Sequence, residues 1–419
     1  MLAALPGPAL AADGDYAYEA GARPVPAAKS TDTAAQLRPG STYRSSITVG
    51  ADGSGRAYYR VRLDATSNAY VSVTAVPPIG QKIAYDDGIR VWMQSADRTP
   101  ICSGDPATFG AGENLRPIVA TGSRIIDSAP LCPNAGTYYV MVERTSGKHS
   151  SHDAWGLELR YSAEPSLKGT EAGEEPEVWN SATPKLPRGK QQGSRKRSGG
   201  AGFGSAVAVE TGSFRGSVTP GRTRYYRVPV DWGQQVYAEA ELGGTNGAVD
   251  ANSFDGVMLS LHNPARTLVV ERGTSYTGSS RSVALDPLPP VDYRNRFAAR
   301  TERAAMRFAG WYYLAVSVAP DVGLKFGKGP YALTLRVKVS GRAKSGPLYN
   351  GKPVPAAAFG VTDRDREAAA NGDSADAGAG ATKPDGAMRT LAVAAFGAGL
   401  TLVLVLGGWT VLARRRATR

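Results

Sequence analysis

The sequence predicts an all-β protein: two antiparallel β-sandwiches in tandem, followed by one C-terminal transmembrane α-helix. Three observations lead there. Four segments recur, in one order, in both halves of the 419-residue chain. The recurring segments alternate polar and apolar residues or are apolar throughout, and none carries a helical stripe. Residues 391–413 form an uncharged run that as a helix would be ~34 Å long, enough to cross a bilayer.

The repeats justify the strands one by one. "GRAYYRVRL" (55–63) matches "TRYYRVPV" (223–230), and "YDDGIRVWMQSADRT" (85–99) matches "SFDGVMLSLHNPART" (253–267). "AGTYYVMV" (135–142) matches "AGWYYLAV" (309–316), and "WGLELRY" (155–161) matches "YALTLRV" (331–337). Such a register means an internal duplication of one domain. In the first segment Tyr59, Val61 and Leu63 alternate with Tyr58, Arg60 and Arg62, giving a dry face and a wet face. The Tyr-Tyr segments are apolar on both faces, as a central strand would be. Gly136 and Gly310 mark the turn into each of them. A composition of 50 Gly, 28 Pro and 19 Tyr suits short strands and many turns.

Between and beyond the repeats the composition changes. The predicted domains are 31–163 and 206–340. They are joined by a basic Gly/Pro/Ser linker (164–205) and followed by a low-complexity stalk (341–389), the membrane helix (390–413) and a tail (414–419). As a flexible coil the stalk would hold the second domain ~40 Å from the membrane. Arg414, Arg415, Arg416 and Arg419 follow the apolar run, so the tail is expected in the cytoplasm and the rest outside, at the plasma membrane. Residues 1–12 resemble the end of a secretory signal peptide, with a small-x-small site at Ala9 and Ala11. A longer signal is expected upstream of Met1, with a mature terminus near Ala12. Cys102 and Cys132, the two cysteines of the chain, form no CxxC and are expected to pair as a disulfide outside the cell. Closing that loop would stabilise the fold by ~3.5 kcal/mol.

The order of these motifs resembles the bacterial pre-peptidase C-terminal domain, twice over, at about residues 37–162 and 207–340. "TPGRTRYYRVPVDWGQQVYAEAEL" (219–242) and "AGWYYLAVSV" (309–318) carry the likeness best. The resemblance implies a jelly-roll-like β-sandwich and a secreted accessory module, often beside a protease, sometimes binding polysaccharide, matrix protein or calcium.

The candidate sites are few. Asp86, Asp87 and Asp255 precede matched strands and could ligate calcium; Asp-Gly turn chemistry explains Asp87 and Asp255 more simply, because no oxygen-rich loop with ligand spacing surrounds them. No other cofactor is indicated. Of three histidines, His149 and His152 sit in a Ser-rich loop where a weak metal site competes with plain solvation, and His262 reads as a strand-end side chain. The basic run Arg188, Lys190, Arg195, Lys196 and Arg197 could meet an anionic polymer or simply keep a linker soluble. It has no interleaved aromatics and lies outside the cell, so nucleic acid is not an expected partner. Tyr58 and Tyr225 share a face with arginines and are expected to be exposed, as contacts for glycan or protein.

The net charge of +12 selects no partner by itself. No GxSxG, HExxH or phosphate-binding glycine loop is present, so no catalytic residue is nominated and the chain is expected not to be an enzyme. A duplicated module favours reach or avidity. The expected function is therefore a non-catalytic, membrane-anchored protein that offers two binding modules to cell-wall polymer or to secreted or membrane proteins. An accessory subunit of a secretion or processing complex is the alternative, and a hydrolase with a cryptic site a further one.

Overall fold

The computed structural model describes residues 16–50, 54–96, 100–110, 112, 114–126, 130–169, 176, 179–187, 194–245 and 251–376. The predicted signal remnant (1–12), membrane helix (390–413), tail (414–419), Arg188 and Lys190 lie outside them. Among the described residues no helix is long and apolar enough to cross a membrane.

Among the described residues the first half holds ten strands: β1 (Arg23–Pro24), β2 (Ala35–Gln36), β3 (Thr42–Ile47), β4 (Ser54–Leu63), β5 (Asn68–Val76), β6 (Gly88–Ser95), β7 (Ile101–Thr108), β8 (Ile118–Arg124), β9 (Gly136–Thr145) and β10 (Trp155–Glu164). They make two five-stranded sheets, sheet A in the order β1-β3-β10-β5-β8 and sheet B in the order β2-β4-β9-β6-β7. The period-two pattern decides which side chains go in. On β4, Tyr59, Val61 and Leu63 enter the core with Val140 and Val142 of β9, while Tyr58, Arg60 and Arg62 stay on the outer face. Burial of each large apolar side chain contributes roughly 1.5–3 kcal/mol. Trp155 lies at the bottom of this core beneath the buried guanidinium of Arg144, 3.8 Å from its ring. Arg144 donates to the carbonyls of Ser151 and Asp153 at 2.9 and 2.6 Å, so the buried charge is hydrogen-bonded.

The second half repeats this design with β11 (Arg195–Lys196), β12 (Val207–Ala208), β13 (Gly212–Val218), β14 (Thr223–Val230), β15 (Gln235–Leu242), β16 (Ser253–His262), β17 (Leu268–Tyr276), β18 (Arg281–Ala284), β19 (Gly310–Val318) and β20 (Tyr331–Ser340). Sheet C is ordered β12-β14-β19-β16-β17 and sheet D β11-β13-β20-β15-β18. Strand for strand, C corresponds to B and D to A. "AGTYYVMV" and "AGWYYLAV" are the central strands β9 and β19, each paired on both sides. Besides a 3-10 turn (Tyr293–Phe297) and a single helical turn (Thr301–Ala304), the described residues of this half hold α1 (Pro320–Phe326) and α2 (Asp363–Asn371), the latter opened by a Thr362–Asp365 capping box. The chain is thus mostly β, with four five-stranded sheets in two sandwich-like pairs.

Several expectations about the connections change. The basic linker is partly strand: Arg195–Lys196 is β11, paired in parallel with Phe214 and Arg215. The stalk does not start at 341. Residues 349–376 pack on the sandwiches, with bridges Val354 to Ala163, Tyr349 to Leu167 and Ser374 to Val207. Phe359 is buried there, stacked on Phe308 at 4.4 Å. A Cβ at Gly310 (φ +135°) would come 2.7 Å from the carbonyl oxygen of Ala358, so glycine serves both the backbone turn and this close approach. Polar composition hid the segment because a few apolar anchors suffice to dock it. Residues through Ala375 form one compact unit that includes both sandwiches.

Candidate functional site: the contact between the sandwiches

The outer face of sheet A meets the outer face of sheet C, and two short segments fill the space between them. One runs from Tyr16 to Glu19, the other from Gly200 to Ala206. Phe203 is fully buried, edge-on or tilted against Tyr225, His262 and Tyr313 at 5.0, 5.2 and 5.2 Å. Tyr16 lies edge-on to Tyr225 at 5.9 Å and donates its hydroxyl to Glu158.

Arg266 organises the charges. It sits in the turn between β16 and β17 at φ +62°, a conformation side chains seldom adopt. The Asn263 carboxamide holds that turn, accepting from the amides of Ala265 and Thr267 at 3.0 and 3.1 Å. The Arg266 guanidinium reaches Glu158 on β10 and Glu19 on the N-terminal segment, both at 2.8 Å. Glu158 also accepts the Glu19 amide at 2.8 Å. Burial works to raise the Glu19 carboxyl; Arg266 and then Arg160 outweigh it and hold it below the usual range. A second link joins Arg116 to Glu271, and the Asn114 amide donates to the Asp255 carbonyl at 2.9 Å.

Beside this contact a cleft of about 420 Å³ opens between the sandwiches. β7 and β8 form one wall, β17 and residues 301–307 the other. Its floor is apolar, with Val119 and Val269; its rim carries Asp105, Glu302, Arg272 and Arg307. Asp105 accepts the Thr121 amide at 2.8 Å, capping the free edge of β8, and burial raises its carboxyl. The Arg307 guanidinium lies over Tyr70 at 5.2 Å. The lining contains Ser103 and Ser123 but neither histidine nor cysteine. Such a cleft can bind polar groups of either sign by hydrogen bonds.

The sequence-predicted residues fall elsewhere or act differently. Tyr225 is buried rather than exposed: its arginine-bearing face is the one sheet A covers. Tyr58, its counterpart, is half-buried on the outer face of sheet B. Asp87 is buried and accepts the amides of Ala84 and Gly147 at 3.1 and 2.6 Å, which closes a turn; Asp86 is exposed. Asp255 sits at φ +45° against Gly112. Among the described residues no group of three or more His, Cys, Asp or Glu could hold a metal. Arg195 pairs with Glu210 at 2.7 Å, and Arg197 donates to the Ala370 carbonyl, leaving Lys196 exposed. His149 and His152 are exposed. His262 is buried, 3.2 Å from Ser260 Oγ, and burial pushes its pKa down to about 3. Cys102 and Cys132 are disulfide-bonded.

Sequence reasoning missed Arg266, Glu158 and Phe203. Phe203 is an isolated aromatic inside the glycine-rich "GGAGFGSA", and its local sequence carries no signal that separates a buried ring from a solvated one.

No family model matches the chain, and no curated protein matches it. Solved structures with some likeness include a protein described as secreted from Parabacteroides distasonis (8% identity, 71% of this chain and 88% of that one, TM-score 0.17). Others are tripeptidyl peptidase 2 (9%, 78% and 24%, 0.20) and the CBM22-1–CBM22-2 tandem domain of Paenibacillus barcinonensis Xyn10C (11%, 71% and 86%, 0.21). At these TM-scores the likenesses carry no argument about function.

Proposed function

We infer that this is a non-catalytic, membrane-anchored extracytoplasmic protein whose two β-sandwiches bind cell-wall polymer or a secreted or membrane protein. The observation that carries the reading is the Cys102–Cys132 disulfide, which ties edge strand β7 to the loop before β9. Such a bond persists in an oxidising compartment, outside the cytoplasm. The uncharged run 391–413 and the arginines after it supply the anchor and its orientation. We read each sandwich as a jelly-roll-like module of the pre-peptidase C-terminal type, on the motif order of the repeats. The cleft beside Asp105 and Arg307 is the proposed contact for the partner.

The test has two parts on the full chain expressed in a bacterial host. Protease added outside intact cells should degrade the sandwiches while a C-terminal tag stays protected, and the thiols should be unreactive until reduced. Membranes carrying the chain are then mixed with purified wall, with calcium and with chelator. Saturable wall binding weakened by Arg307→Glu supports the reading, and calcium dependence would return Asp86, Asp87 and Asp255 to consideration. A stoichiometric membrane partner without wall binding would make the chain an accessory subunit. A reduced, protease-protected chain would overturn the reading.

A further inference from the structure

We propose that the chain binds a second copy of itself head to tail, with sheet B of one copy against sheet D of the next. The inference stands on the repeat geometry and is independent of the wall-binding reading.

Within the chain the two repeats are stacked through non-equivalent faces. Sheet A of the first repeat lies on sheet C of the second, and C is the counterpart of B. The four sheets therefore run B, A, C, D. This is a heterologous contact that does not close on itself. Its two end faces, B and D, are counterparts of the two faces that the chain already joins, so the same contact can be made again between copies.

The B face matches the buried C face position by position. Across sheet C, Tyr225, Ala315 and Ser260 lie in one row. All three are buried, and Tyr225 and Ala315 share one cluster with Phe203, Ala206 and Val119 of sheet A. The same row across sheet B is Tyr58, Met141 and Trp92. These three are only partly buried, with the Arg90 guanidinium 5.3 Å from the Trp92 ring. In C, the small Ala315 and Ser260 leave room for the Phe203 ring. In B, Met141 and Trp92 supply that bulk themselves. A part-exposed row of large apolar side chains on a regular sheet marks a contact surface.

The D face retains the acceptor that makes the internal contact. On sheet A, Glu158 stands directly opposite Thr74. On sheet D the corresponding cross-strand pair is Thr334 opposite Glu241. The carboxylate has changed strands but kept its place on the face. Glu241 is bound by Arg336 at 2.6 Å and its side chain is 32% exposed, within reach of an incoming arginine. Sheet B offers Arg60 and Arg90 around the Tyr58 row, as the second repeat offers Arg266 to Glu158.

The experiment uses the full chain in detergent micelles. Tyr58→Cys and Thr334→Cys are made separately, mixed and gently oxidised. A cross-link that requires both variants is expected, and the double variant should give a ladder of multimers. Sedimentation of the unaltered chain should show concentration-dependent growth, weakened at least about tenfold by Trp92→Glu and likewise by Glu241→Lys on the opposite face. An unchanged melting temperature in either variant separates lost contact from lost fold. A monomer at every concentration with no mixed cross-link overturns the proposal. So does a 58–58 cross-link without a 58–334 one, which would mean a two-fold contact. An anionic polymer held by sheet B and lost in Trp92→Glu, with no self-association, would overturn it too and make the face a polymer site.

Discussion

At the level of single residues, the contact between the sandwiches depends on one arginine held in an unusual backbone conformation. Arg266 brings together two carboxylates from distant parts of the chain, and Glu158 is wholly buried. Removing one partner of a buried pair leaves an uncompensated charge, which typically costs 3–5 kcal/mol. Arg266→Met is therefore expected to lower stability by about that amount in urea titration. Glu158→Gln in the same background should recover part of the loss. His262 acts through pH. Its folded-state pKa, about 3, lies below its ordinary value of 6.5, so the folded state resists the proton that the unfolded chain accepts. Stability from this group is complete above 6.5 and declines as pH falls from there toward 3, with a limiting slope of about 1.4 kcal/mol per pH unit. Gln94 occupies the equivalent position in the first repeat, so His262→Gln is a conservative test. Its urea midpoint should fall less steeply than that of the unaltered chain between pH 6.5 and 5. Below about 4.5 the Glu19 carboxyl, held low by Arg266, adds a further loss that the variant retains.

At the level of elements, the segment after β20 belongs to the fold although its composition reads as stalk. Phe359 stacks on Phe308 and meets Tyr70 edge-on, so it joins both sandwiches. Trp311 donates its indole N–H to Asp365 of α2 at 2.9 Å. A chain cut after residue 340 is expected to melt well below one cut after residue 376, and Phe359→Ala alone should cost about 3 kcal/mol. Calorimetry of the three proteins checks this; equal melting temperatures would mean that the segment merely rests on the surface. The strands themselves were legible in advance. Tyr59, Val61 and Leu63 face the core because an alternating pattern leaves them no other face, and Asp87 closes the turn before β6 by accepting the Ala84 amide three residues back. The docked segments were not legible. Phe203 and Phe359 are single aromatics in polar runs, and nothing local tells a buried ring from a solvated one.

For the whole molecule, duplication produced a continuous stack instead of two beads on a string. The buried ion network, the aromatic filling by Tyr16 and Phe203, and the C-terminal clasp couple the sandwiches. We expect a single cooperative thermal transition for residues 16–376, with calorimetric and van't Hoff enthalpies equal. Arg266→Met combined with Phe203→Ala should divide it into two. Two transitions in the unaltered protein would show that the sandwiches are energetically independent. The coupling also bears on function: a rigid pair fixes the walls of the intervening cleft, which a flexible linker would leave to chance.

The sequence alone determined the mostly-β character, the internal duplication, the strand faces and the disulfide partners, because these depend on period, repetition and count. The relation between the repeats was decided only by tertiary structure. The equivalent tyrosines make the point: Tyr58 and Tyr225 occupy the same position in the same motif, yet one is part-exposed and the other buried. What separates them is the sheet that covers one repeat and not the other, and that sheet is supplied by residues more than sixty positions away. Periodicity reports which face a side chain occupies; only the assembled fold decides what lies against that face.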